Sequence, residues 1–343
     1  MTRAIPLIVL SLLITACTTT GTPGPTPEAD AEATLPARAQ TDAWAAKQRA
    51  AMTTPDEVFT PVPTIEPVVE LRATPALRAS IPDLCAELGN RLGSVSVEAC
   101  LAADLVHGPA RSARGRPLAW AAFPARAPRA PRVLVIGGIH GDEYPSISIV
   151  FRWIERLRDE HDTTRAWRLI PTSNPDGLLE VRPAQRMNAR GVDLNRNFET
   201  SAWAQEARRW WTDRTRSDPR RQPGPAPASE PETRWLQDML SNWRPDVIVS
   251  VHAPHALLDF DAGASARMTA PQKLGFLQLR PLGTYPGSLG RYGSMELGVP
   301  VLTLELPWAG IMPSEAELDA LWADLNAWLG THLPASPGAG REP

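Results

Sequence analysis

Cysteines, histidines, clustered basic residues and long hydrophobic runs are all in short supply in this chain of 343 residues. The apolar stretch from Ile5 to about Ile14 is too short to span a bilayer comfortably. A net charge of −3 without a Lys/Arg stripe argues against a nucleic-acid partner. No phosphate-cradling glycine loop is present, because Gly137-Gly138 does not extend into one. Of the three cysteines, Cys85 and Cys100 have no third Cys or suitable His beside them, which makes them poor zinc ligands. Residues 18–79 lack apolar periodicity and are dominated by Thr, Pro, Ala and scattered charge. They read as an extended tether, interrupted by a short helical stretch around Asp42 to Met52.

What is there begins with Ile136-Gly137-Gly138-Ile139-His140-Gly141-Asp142-Glu143. The preceding residues 132–136 read as a short buried strand, and the glycines allow a tight turn at its end. From a turn leading into a helix, His140 and Glu143 can face one ion. Taken alone, an H-x-x-E pair is common and weak, and a solvated loop is the better reading of it. A catalytic zinc needs a third ligand and a position left for water. Residues 246–251 form a second apolar run that delivers His252 at its C-terminal edge, where sheet enzymes carry their chemistry. His255 is the competing choice, but Pro254 turns the chain away before it. His107, His161 and His332 lie in polar or Gly/Pro-punctuated contexts and read as surface or structural residues. A third apolar run, residues 299–306, holds a single carboxylate, Glu305. Burying it alone is costly. A metal would supply a partner, and the surroundings can raise its pKa toward the range useful for proton transfer. An ion pair with an arginine is the alternative.

Ser173-Asn174-Pro175-Asp176-Gly177 is a turn by composition, and Arg186-Met187-Asn188 and Gly191-Val192-Asp193-Leu194-Asn195-Arg196-Asn197-Phe198 follow it. The motifs H-x-x-E, N-P-D-G, G-V-D-L-N-R-N-F, a strand-end His and T-x-E-L, in this order, resemble the zinc carboxypeptidase family from about Pro117 to Leu329. The resemblance implies one zinc ion bound by His140, Glu143 and His252, with Glu305 as general base and Arg186 stabilising the oxyanion. It also implies that Asn195 and Arg196 hold a substrate carboxylate, for which a planar guanidinium is suited, and that Tyr285 is a substrate-binding tyrosine. The bland readings are a surface charge for Arg186 and a turn aromatic for Tyr285. Smaller features, including residues 220–224, 229–236, His252-Ala253-Pro254 and Tyr285-Pro286-Gly287-Ser288-Leu289-Gly290, are similar to the family's bacterial murein peptide amidase branch. That branch cuts the γ-D-glutamyl–meso-diaminopimelate bond of cell-wall peptides. Ser229 and Glu232 also have capping-box spacing for a helix running to about Trp243.

Leu13-Ile14-Thr15-Ala16-Cys17 resembles a bacterial lipobox, so residues 1–17 read as a signal peptide ending at a lipidated Cys17. Thr18 is not the aspartate that often retains lipoproteins in the inner membrane, and the expected place is the outer membrane, facing the periplasm. An ordinary signal peptide of a soluble periplasmic protein is the alternative. Lipidation of Cys17 leaves Cys85 and Cys100 as an even pair, plausible as a disulfide in an oxidising compartment. Closing that loop contributes roughly 3 kcal/mol in the chain-entropy model. Two unrelated buried thiols are the other option.

Residues 80–107 then read as a small helical or mixed lead-in, residues 108–332 as one catalytic domain, and 333–343 as a tail. Alternating strands and amphipathic helices argue for an α/β sandwich; with the resemblance, this becomes a three-layer α/β/α sandwich around a mixed, mostly parallel sheet. The Trp- and Arg-rich excursion between Glu199 and Ala228, with Trp203, Trp210 and Trp211, is expected to pack rather than to bind ligand. The reading is a zinc peptidase of the cell envelope acting on murein peptide near a free carboxylate. The rivals are an aspartoacylase-like deacylase and a catalytically silent wall-binding lipoprotein.

Overall fold

The computed structural model describes residues 80–160, 164–263 and 266–334. Cys17, the tether, the helical stretch near Asp42 to Met52, His161 and residues 335–343 lie outside the described residues. The first described element, α1 (Ile81–Arg91), starts at a capping box in which Ser80 Oγ accepts from Asp83 N while the Asp83 carboxylate accepts from Ser80 N. A disulfide joins Cys85 to Cys100 on α2 (Val97–Ala102). Leu84, Leu88, Leu92 and Val95 enter the same core as Trp153 and Trp322, so this lead-in is built into the catalytic core. The expected boundary at 107/108 falls inside β1 (Val106–Arg111).

β2 (Pro117–Phe123) and β3 (Arg132–Ile136) lead through the H-x-x-E loop into α3 (Tyr144–Glu160); β4 (Ala166–Ile170) and the short α4 (Pro175–Leu179) follow. After α5 (Trp203–Thr215) and α6 (Pro231–Trp243) come β5 (Val247–His252), β6 (Leu257–Asp261) and the small hairpin β7 (Lys273–Leu274) and β8 (Leu277–Gln278). α7 (Leu289–Arg291) runs into a π-turn at Tyr292–Glu296 before β9 (Val301–Glu305) and α8 (Glu315–His332). The seven-stranded sheet has the order β1-β2-β4-β3-β5-β9-β6. Its four central strands, β4, β3, β5 and β9, are mutually parallel, and β1, β2 and β6 join antiparallel.

Both faces of the parallel strands are covered, which is why those strands read as unbroken apolar runs instead of alternating ones. Val133, Val135, Val249, Leu302 and Leu304 share one core with Trp153 of α3 and Leu321, Trp322 and Leu325 of α8. Their neighbours in sequence, Leu134, Ile136, Ile248 and Val301, face the other way and pack with Trp235, Leu236 and Leu240 of α6. This is the expected sandwich, with parallel pairing confined to its centre. Among the described residues, no helix is long and apolar enough to cross a membrane.

The expected Ser229/Glu232 capping box does not form. Glu230 is the N-cap of α6 and makes no side-chain cap bond, Pro231 takes the first helical position, and Ser229 Oγ donates to Glu230 Oε1 at 2.8 Å. Glu232 instead turns into the interior, where its carboxylate accepts from Ala113 N at 2.8 Å and from Asn188 Nδ2 at 3.1 Å. Burial pushes its carboxyl up from 4.5 to about 7. The folded chain therefore keeps a proton that the unfolded chain has released, and stability from this group falls as pH rises from about 4.5 through about 7. Glu232→Gln is expected to gain stability over the wild type between pH 5 and pH 8, by up to about 3 kcal/mol, in denaturant melts. A pH-independent difference would contradict this account.

Candidate metal centre

The H-x-x-E loop leaves β3 through Gly138, whose φ of +56° is a left-handed conformation that suits glycine. The loop then lies directly on the N-P-D-G turn: a Cβ on Gly141 would sit 2.2 Å from the carbonyl carbon of Gly177. Asn174 ties the two segments together. Its Oδ1 accepts from Gly177 N at 2.9 Å, and its Nδ2 donates to the carbonyls of Ile139 (3.2 Å) and Arg186 (3.1 Å). This junction is sealed from below by Asp176, fully buried, which accepts from Ser112 Oγ, Arg114 N and Arg116 Nη1 at 2.8–2.9 Å.

His140, Glu143 and His252 meet at the C-terminal edge of the parallel strands, all buried, with one ligand atom from each inside a 4.8 Å group. Glu143 Oε1 is 2.7 Å from His140 Nδ1, Glu143 Oε2 is 3.1 Å from His252 Nδ1, and the two Nδ1 atoms are 3.1 Å apart. On its other side, His140 Nε2 lies 3.2 Å from Asp193 Oδ1. A neutral His140 that donates from Nε2 to Asp193 turns the Nδ1 lone pair toward the Glu143 carboxylate and toward the second imidazole. That arrangement calls for a cation between them. Two imidazoles and a carboxylate, with a carboxylate behind one imidazole, make a donor set that suits zinc. Without an ion, burial and Arg186 oppose protonation of His140, yet Glu143 and Asp193 outweigh them and raise its pKa. Burial likewise opposes charge on Glu143, and the two imidazoles overcome it and lower its pKa.

His255 is exposed at the cavity rim and is not part of this cluster. Arg186 lies beside the centre, donating from Nε to Asp193 Oδ2 at 2.9 Å and reaching Glu143 Oε1 from Nη1 at 3.4 Å. Asp193 is the site residue that sequence reasoning passed over. It was legible only as the Asp of the G-V-D-L-N-R-N-F motif, and burial gives it its role. Burial would raise its pKa, but Arg186 and His140 hold it well below the usual carboxylate range.

Glu305 sits opposite His252 in the β5/β9 register. It is buried, and its Oε2 has no hydrogen-bond partner among the described residues. Asn195 Oδ1 accepts from Leu289 N at 2.8 Å. Arg196 is buried, and burial lowers its pKa to about 10 while Asp193 opposes the shift. Its guanidinium carbon lies 4.6 Å from the Tyr285 ring centroid and 5.1 Å from that of Trp210. Trp210, expected only to pack, is thus part of an aromatic frame around this cation. Glu305, Asn195, Arg196 and Tyr285 line one cavity of about 480 Å³ with the metal cluster.

The zinc carboxypeptidase family profile matches residues 105–280. The chain belongs to the zinc carboxypeptidase family. It is similar to murein peptide amidase A of Escherichia coli (strain K12), 32% identical over 219 residues, covering 63% of this chain and 86% of that protein. It is also similar to murein peptide amidase A of Vibrio campbellii, 30% identical over 223 residues, covering 63% of this chain and 85% of that protein. Carboxypeptidase A from Helicoverpa armigera shares the fold, with a TM-score of 0.53 at 16% identity, covering 75% of this chain and 72% of that one. Membership makes the chain a zinc hydrolase, with His140, Glu143 and His252 as its candidate metal site. The profile match ends before Tyr285 and Glu305, so their roles rest on geometry. As a zinc carboxypeptidase that orients His140 through Asp193, the chain is expected to lose about 10- to 100-fold in zinc affinity on Asp193→Asn. Chelator competition measures it, and unchanged affinity would remove Asp193 from the metal site.

Proposed function

We propose that the protein is a peptidase of the bacterial cell envelope that hydrolyses an amide bond near a free carboxylate, with the γ-D-glutamyl–meso-diaminopimelate bond of murein peptides as its target. One observation carries this reading. A single cavity opens onto the metal cluster, the unpartnered carboxylate oxygen of Glu305 and the buried cation of Arg196. Similarity to murein peptide amidases from two genera supports the choice of bond.

His140, Glu143 and His252 would hold the zinc ion, which when bound would supply the Lewis acidity to polarise a carbonyl and acidify water. Glu305 accepts the proton from the attacking water and returns it to the departing amine. Arg186, already beside Glu143, places a guanidinium where negative charge develops on the carbonyl oxygen. Asn195 and Arg196 take the free carboxylate, and Tyr285 stacks on Arg196 at the edge of that subsite. The charge on Arg196 limits cleavage to a chain end. A substrate carboxylate also compensates a guanidinium whose Nε has no hydrogen-bond partner among the described residues.

The lipobox ending at Cys17 and the Pro-rich tether of residues 18–79 support attachment to the outer membrane, facing the periplasm. The Cys85–Cys100 disulfide is consistent with an oxidising compartment. In a hydrolysis assay on L-Ala-γ-D-Glu-meso-diaminopimelate, Glu305→Gln is expected to bind zinc normally and to lose about 10³-fold in kcat. Full activity in that variant would overturn the mechanism. Cleavage of N-acyl amino acids with no peptide hydrolysis would select a deacylase instead.

A further inference from the structure

The family profile begins its match at residue 105, so the lead-in formed by α1 and α2 precedes it and takes no role from membership. Its polar side chains converge on the segments that carry the metal loop. α1 and α2 have 11 and 6 residues, lengths at which an isolated helix is marginal. The Cys85–Cys100 disulfide staples them into one unit. They meet so closely that a Cβ on Gly89 would lie 2.5 Å from Val97 Cγ2.

Three arms leave this unit. Arg91 Nε donates to the carbonyl of Leu178 at 2.8 Å, and its Nη2 donates to that of Val181. Glu87, one turn earlier on the same helix face, accepts from Arg116 Nη2 at 2.8 Å, and Arg116 Nη1 donates to Asp176 Oδ1 at 2.8 Å. Ser94 Oγ lies 2.7 Å from Ser148 Oγ of α3, the helix that follows Glu143. The first two arms grip α4, whose 5 residues are too few to hold a helix in place unaided. The metal loop rests on the Gly177–Leu178 peptide of α4: a Cβ on Gly141 would sit 2.2 Å from Gly177 C and 2.3 Å from Leu178 N. Arg91 therefore holds the residue whose amide touches Gly141, the neighbour of His140. The loop needs such outside support, because Gly137, Gly138 and Gly141 give its backbone more freedom to lose on ordering than other residues would.

We propose that the disulfide-stapled lead-in is a clamp on the H-x-x-E loop, with Arg91 as its principal positioning residue, so that closure of Cys85–Cys100 raises the affinity of the His140, Glu143 and His252 site for zinc. A loop already held in the binding geometry loses less conformational freedom when the ion arrives. The metal site thus reaches full affinity only in a compartment where the disulfide persists. The clamp acts on the metal site and is independent of which amide bond is cut.

Two measurements on the full chain test the clamp: zinc affinity by chelator competition, and amide hydrogen exchange of the metal-free protein. Arg91→Ala is expected to lower zinc affinity about tenfold, the low end for losing hydrogen bonds from a charged group. Arg91→Lys, which keeps the charge, should recover part of that loss. The Cys85→Ser/Cys100→Ser double variant should lose a similar factor. In Arg91→Ala and in the double variant, the amides of Asn174, Gly177 and Gln185, which donate to Gly138 O, Asn174 Oδ1 and Gly177 O, should exchange faster before any metal is added. Ser314→Ala, which removes the α8 capping box, also costs stability and should leave zinc affinity unchanged. Wild-type zinc affinity in Arg91→Ala would overturn the proposal. Equal losses in Ser314→Ala would do so too, because they would show general destabilisation in place of a clamp. Should the double variant fail to fold, the two Arg91 variants decide alone.

Discussion

Two imidazole nitrogens and a carboxylate meeting at about 3 Å in a buried site cannot all present lone pairs to one another unless a cation stands between them. The rest of the molecule serves that confrontation. Asp193 takes the far nitrogen of His140, Arg186 neutralises Asp193, and the backbone of Ala253 donates to Glu143 Oε2 at 3.2 Å. Each of these contacts orients a ligand that would otherwise rotate away from its neighbours or turn to another partner. The site is therefore prepared for a divalent ion by groups that never touch it.

Those orienting groups come from segments far apart in the chain, and buried amides hold them in place. Asn174 binds the H-x-x-E loop to the Arg186 segment. Asn188 donates to Glu230 and Glu232 and accepts from Arg190 N and Val192 N. Asn197 bonds Pro223, Ala226 and Ser229 and accepts from Glu230 N. Three asparagines thus satisfy the polar backbone of long loops packed beneath the cavity, where unpaired groups would be costly. The asparagine-rich motifs belong as much to this scaffold as to the chemistry.

The cavity is lined by Arg186, Arg196, Arg220 and Arg221 as well as by Asp142, Glu143 and Asp218 from the loops and Asp259, Asp261 and Glu305 from β6 and β9. Arg220 and Arg221 are exposed, whereas Arg196 is buried and burial lowers its pKa. Of the strand carboxylates, Asp259 and Glu305 are buried and Asp261 is half-buried.

The sandwich class, the H-x-x-E pair, the strand-end His252 and the lone Glu305 were all legible in the sequence. Each followed from local rules: apolar runs of strand length, glycines after β3, and titratable residues at the ends of those runs. At the α8 N-terminus a capping box does form, between Ser314 and Glu317. At α6 that rule failed, because Glu232 found backbone and amide donors in the interior that a capping bond could not match. Asp193 escaped notice because the imidazole it orients lies 53 positions away in the chain. Sequence alone determined which residues could bind an ion and where the strands deliver them, since periodicity and turn chemistry are short-range. Only the tertiary structure decided which carboxylates face a cation and which face none, since that depends on strand register and on what burial brings alongside.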